Sequence, residues 1–233
     1  MDNLEHFRAV TDAFETELAA LDPAAPLGSL EWTVGQLGAH LGGVHRWVVA
    51  NVRDGVRAPR QNVPDLDEPV AEYYRTARSA LLEVFDTTDA AAEAWTMSRD
   101  DRTVAFWHRR QLFESLVHLW DLRSASGPAS VAETVPPAVH ADGMREVFET
   151  YVPRADAGEA QVLTGTIALE PSDIDARLVI GPAFVLDTDS VPDAVIRGTA
   201  AELLLVAWNR IAPPTFDGDE RVLMQFRDAQ VRA

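Results

Sequence analysis

Apolar side chains in the first half of the chain recur every three or four residues, the period that lines one face of an α-helix. From Asn3 to Leu21 the stripe is Leu4, Phe7, Val10, Phe14, Leu18 and Leu21, and Asp22-Pro23 ends it. A second helix opens at Thr33, where Thr33-Val34-Gly35-Gln36 has the form of a capping box, and its stripe is Val34, Leu37, Leu41, Val44 and Val48. A third is predicted from about Pro69 to Phe85, capped by Asp67, with Val70, Tyr73, Ala77, Leu81 and Val84 inward. A fourth runs from about Val104 to Ser124 through Trp107, Leu112, Phe113, Leu116, Val117 and Trp120, and Gly127-Pro128 stops it. Four such helices, joined by connections that permit antiparallel packing, predict a four-helix bundle over residues 1–130.

The pattern then changes. Ser126 to Ser130 together with Pro136-Pro137 reads as a linker, and a helix is expected from about Ala138 to Tyr151. Short strand-like runs follow at Gln161 to Leu169, Ala176 to Ile180, Ala183 to Leu186 and Ala194 to Arg197. Thr199-Ala200-Ala201-Glu202 is a second capping box, opening a helix that Pro213-Pro214 closes, and Asp219 to Ala229 has the pattern of a last helix. Strands grouped between helices make residues 136–233 a small α+β domain, so the whole chain is expected to be α+β with two domains.

Composition narrows the chemistry. The 233 residues carry 37 Asp plus Glu against 20 Lys plus Arg, a net charge of −17; every one of the 20 cations is arginine, and cysteine is absent. A chain without cysteine has no thiol nucleophile, disulfide or cysteine-ligated zinc, and one without lysine has no Schiff base or P-loop amine. The acidic balance, with no arginine-rich block, argues against a nucleic-acid partner and reads as solubility. No run approaches the roughly 20 apolar residues of a membrane span, and Met1 to Glu5 lacks the character of a signal peptide, so a cytoplasmic protein is expected.

Of the six histidines, His6, His108 and His140 read as surface or boundary residues, His108 preceding Arg109-Arg110 on a polar face. His40 lies about 60° to one side of Leu37 on the helical wheel and so points partly into the bundle, while His45 falls about 80° to the other side. Glu114 and His118, four residues apart, project from one face of the fourth helix. Two imidazoles and a carboxylate brought together from two helices would hold one divalent ion and leave a position open, the arrangement of a catalytic zinc. The same Glu-x-x-x-His spacing on a solvent face would be an ordinary ion pair. His45 and Asp121 are alternative ligands or partners that would orient a ligand imidazole.

The segment from Glu31 to Trp47, containing His40, resembles the first metal-ligand segment of the mycothiol-dependent maleylpyruvate isomerase family, within the DinB-like superfamily. Phe113-Glu114-Ser115-Leu116-Val117-His118-Leu119-Trp120-Asp121 resembles the second, Glu-x-x-x-His followed by Trp-Asp. Gly198 to Arg210 is similar to a later Gly-x-x-x-Asp-Leu-Leu-Leu-x-x-Trp-Gly-Arg stretch, with Glu202 in place of Asp and Asn209 in place of Gly, and Phe216-Asp217-Gly218-Asp219 is similar to its later Gly-Asp. The resemblance implies a metal-binding bundle followed by a domain like the sterol carriers, with His40, Glu114 and His118 as metal ligands and Arg210 as the functional arginine. It implies zinc and mycothiol, with a small electrophile, carboxylate-bearing in the isomerase case, as substrate. In such an isomerisation a thiolate adds to a conjugated double bond, the resulting single bond rotates, and elimination returns the thiol. Transfer of the thiol to an electrophile is the other enzymatic outcome. Rival expectations are a non-catalytic metal- or ligand-binding regulatory protein and a lipid binder built on the second domain, and the same donors also suit nickel or iron.

Overall fold

The computed structural model describes residues 2–59, 63–98, 100–151, 163–186 and 189–228. They fall into two compact units, Met1–Thr134 and Val135–Ala233, and the fold is α+β: four helices, then a small mixed sheet with helices.

In the first unit the helices are α1 (Asn3–Ala20), α2 (Val34–Asp54), α3 (Val70–Thr87) and α4 (Val104–Arg123), the last running into a 3-10 turn at Ser124–Ser126. Helix α1 packs on α4 and α2 on α3, with further contacts between α1 and α3 and between α2 and α4. The apolar stripes form the shared core, with Phe7, Phe14, Leu37, Leu41, Leu81, Leu112 and Phe113 wholly buried. Asp2 caps α1, its carboxylate accepting from the amides of Leu4 and Glu5, and the Thr33–Gln36 capping box forms on α2. The α3 start differs from expectation: Pro69, with its fixed φ, takes the cap position, and no side chain, Asp67 included, caps the helix. Gly42 lets α3 lie close on α2, because a Cβ there would stand 2.7 Å from the Tyr73 ring.

Helix α4 is buried over 15 of its 20 residues, so its polar side chains are largely inside. The connector from 21 to 33 folds back on itself, with a Pro26–Thr33 bridge, the Leu27 amide donating to the Trp32 carbonyl at 2.9 Å, and Leu27 buried.

The second unit opens with α5 (Pro137–Glu146), which widens into a π-helical turn at Val147–Tyr151. Its strands are β1 (Ile167–Pro171), β2 (Leu178–Ile180), β3 (Ala194–Gly198) and β4 (Thr215–Gly218), in the order β2-β1-β3-β4; β1 and β3 are parallel and the outer pairs antiparallel. Helices α6 (Ala200–Ala207) and α7 (Glu220–Asp228) pack on β1 and β3, and α5 packs on α6. Of the expected first strand, Gln161 and Val162 lie outside the described residues, as does Ala229 at the end of the last helix. The run Ala183 to Leu186 is not a strand: Pro182 starts a 3-10 turn with Ala183 and Phe184 at positive φ, leaving a single bridge from Leu186 to Ile180. Strand β4 had no signal, because its side chains are mostly exposed and lack alternation. Gly218 is required where it lies, at φ 113 with a hypothetical Cβ 2.3 Å from the Asp193 carbonyl. The leucines of α6 and Trp208 are core residues.

The end of α6 explains why asparagine serves where the resembling family carries glycine. Asn209 has φ 54, its amide donates to the Val206 carbonyl at 2.9 Å, and the Arg210 amide donates to Leu205 at 2.8 Å, the two bonds of a Schellman cap. Asparagine tolerates this left-handed position better than other residues with a Cβ. Asn209→Ala is therefore expected to cost about 1 kcal/mol, or roughly 2–4 °C in thermal melting, against Asn209→Gly, which lacks the same side chain but not the left-handed preference. Equal melting of the two variants would contradict the cap.

Candidate metal centre

Two helices meet around one buried carboxylate. Helix α2 brings in His40 and α4 brings in Glu114 and His118, all buried, and one donor atom of each lies within 4.8 Å of the others. Glu114 Oε1 stands 3.6 Å from Nε2 of His40 and 3.6 Å from Nε2 of His118. These distances are too long for hydrogen bonds, yet close to the roughly 3.4 Å edge between nitrogen and oxygen donors around a tetrahedral ion. The two imidazoles meet edge to face with centroids 5.2 Å apart, and the Trp32 ring lies 4.9 Å from that of His40.

The site's polar partners explain its electrostatics. Nδ1 of His118 lies 2.9 Å from Oδ2 of Asp121, which accepts the ring N–H and directs Nε2 toward Glu114. Nε2 of His118 is buried with no hydrogen bond, as a ligand atom would be. Glu114 Oε2 accepts from Arg110, one helical turn earlier. Burial alone would push the Glu114 carboxyl up; Arg110 and the two imidazoles outweigh it and hold the group well below the usual carboxylate range. Burial likewise pulls His118 down, but Asp121 and Glu114 outweigh it and raise its affinity for a proton.

A proton and a metal would therefore compete for Nε2 of His118. Because its folded pKa is raised, the proton stabilises the fold below about pH 6.5, and that contribution fades as pH rises through the raised value, the range in which the nitrogen opens to a metal. Two imidazoles and a carboxylate are donors that zinc takes, and the buried, oriented set fits a divalent ion.

Asp121 touches the site through His118, whereas His45 stands apart from the three donors. Its Nε2 is 3.5 Å from Ser115 Oγ and its ring packs among Phe7 and Tyr74. Arg210 belongs to the second unit, just past α6, where its guanidinium donates to the Trp208 carbonyl at 3.2 Å. Two surface assignments are corrected. Arg110 is 1% exposed because it pairs with Glu114, a partner that the i, i+4 spacing of the two residues signalled, and His140 is also 1% exposed. His108 is half-buried, its ring 4.5 Å from Phe85.

The profile of mycothiol maleylpyruvate isomerase N-terminal domains matches residues 4–123, a span that contains His40, Glu114, His118 and Asp121. The chain belongs to the mycothiol maleylpyruvate isomerase family. Two solved structures share its fold. One, a mycothiol-dependent maleylpyruvate isomerase carrying a histidine-to-alanine substitution, is 15% identical with a TM-score of 0.63 over 90% of this chain and 88% of that one. The other, a mycothiol-dependent maleylpyruvate isomerase, is 16% identical with a TM-score of 0.61 over 93% and 90%. No curated protein sequence matches the chain.

In this member of the mycothiol maleylpyruvate isomerase family, His45 yields a test of the polarity of the bundle interior. Burial pushes its imidazole down to about 3, so the folded ring is neutral while the unfolded ring takes a proton near its ordinary value of 6.5. Between those values the unfolded chain binds more protons, so the His45 contribution is full above pH 6.5 and shrinks as pH falls. Relative to His45→Leu, the wild type is expected to lose up to about 1.4 kcal/mol of stability per pH unit below 6.5, measured by urea unfolding from pH 7 to 5. Parallel pH profiles would contradict a neutral buried ring.

Proposed function

We propose that this chain is a cytoplasmic enzyme that uses zinc to activate the thiol of mycothiol for addition to an electrophile, as in maleylpyruvate cis-trans isomerisation or in thiol S-transfer. The proposed ligands are His40, Glu114 and His118 in a domain of residues 1–130. A second domain, residues 136–233, would supply Arg210 for a substrate carboxylate. The observation that carries the reading is the buried trio of two imidazoles and a carboxylate within the segment matched by the family profile.

Bound there, the metal would supply the Lewis acidity that keeps a cosubstrate thiol ionised at neutral pH. The chain's own residues do the rest. Asp121 holds the His118 ring by Nδ1 and keeps Nε2 directed inward. Arg110 keeps Glu114 ionised and so able to donate. A guanidinium offers two parallel donors to a carboxylate, the role proposed for Arg210. With no cysteine in the sequence, the reactive sulfur has to arrive with a small molecule.

Elemental analysis of the purified protein is expected to give about one zinc per chain, lost in His118→Ala, and titration calorimetry is expected to detect mycothiol binding to the metal-loaded protein alone. Full metal content in His118→Ala would remove the proposed ligand set. Metal without any affinity for mycothiol would favour a non-catalytic metal-binding protein.

A further inference from the structure

The connector between α1 and α2 reaches both proposed histidine ligands. Ser29, within it, donates to Oδ1 of Asp121 at 2.7 Å, while Oδ2 of the same carboxylate faces Nδ1 of His118 at 2.9 Å. Three residues further on, Trp32 lies against the His40 ring. The connector is held in this place by bonds of its own: the Gly28 amide donates to Ser124 Oγ at 3.0 Å, and the Val34 amide to the Ala25 carbonyl at 2.9 Å. Ser124 is itself fixed, donating to the Asp121 carbonyl at 2.6 Å and lying 3.2 Å from the Ser29 hydroxyl.

A carboxylate held at one oxygen can still swing about its last torsion; held at both, its plane is set. Asp121 is fully buried, so the Ser29 hydroxyl donates to a carboxylate that is out of contact with solvent in the fold. On the metal reading of the site, we infer that Ser29 is a positioning residue: its hydroxyl fixes Asp121, and through Asp121 the ring orientation of His118, which makes the connector a working part of the metal centre. A partner bonded directly to a ligand imidazole, as Asp121 is to His118, governs metal affinity because an imidazole turned out of line donates poorly, and Ser29 acts through that partner. The coupling is reciprocal, so occupancy of the site steadies the connector.

Cobalt(II) titration of the full chain, followed by visible absorption, tests this. Ser29→Ala is expected to bind cobalt about 10-fold more weakly than wild type, and Ser29→Thr, which keeps the hydroxyl, within about 3-fold of it. The metal-free variants are expected to melt within about 2 °C of wild type, which separates positioning from general loss of stability. In an Asp121→Asn background the Ser29→Ala change is expected to add less than about 2-fold, because the two residues act in series. Unchanged cobalt affinity in Ser29→Ala, or an equal further loss in the Asp121→Asn background, would overturn the inference. A wild type that binds no cobalt would overturn the metal reading itself and the inference with it.

Discussion

The ionised carboxylate of Glu114, enclosed in the middle of a helical bundle, is the constraint on which the first unit depends. Removing a carboxylate from water costs several kcal/mol unless opposing charge and donors replace the lost hydration. Here Arg110 lies on one oxygen, and the two imidazole edges face the other. Each compensating group sets a demand elsewhere. Arg110 has to be buried a turn before Glu114, His40 has to face inward from α2, and His118 needs Asp121 behind it. The polar interior of α4 follows from that set, in a helix that would otherwise show one wet face.

The helices and much of this arrangement were legible in the sequence, because each rested on a local signal. Period-3.6 stripes located the four helices, the Thr33–Gln36 box fixed the start of α2 and so the direction of His40, and the four-residue spacing put Glu114 and His118 on one face. What escaped depends on burial or on groups distant in the chain. Arg110 looks like part of a basic surface run until Glu114 is known to be buried, after which it is the expected counterion. Ser29 sits in a connector with no pattern, and its partner Asp121 is 92 residues away. His140 gave no periodic cue near the linker.

The second unit was less legible for similar reasons. Alternation identifies strands with one wet and one dry face, and this sheet offers few. Strand β1 begins with three successive buried residues, β2 is buried throughout, and β4 is nearly all exposed. Apolar content at Ala183 to Leu186 mimicked a strand, but the proline before it dictated a tight turn. The start of α6 was signalled locally and held, the Thr199–Glu202 capping box forming, whereas the helix ends at Ala207 through the Asn209 turn, ahead of the Pro213-Pro214 expected to close it.

A chain without cysteine in a family named for a thiol cosubstrate draws together its composition and its buried donors. The central claim is that these donors hold a metal with one position left for that thiol. X-ray absorption at the zinc edge of the metal-loaded protein, with and without mycothiol, tests it most directly. The account predicts a shell of nitrogen and oxygen at about 2.0–2.1 Å, joined on addition of mycothiol by one sulfur at about 2.3 Å. A nitrogen and oxygen shell that stays unchanged under saturating mycothiol would contradict it.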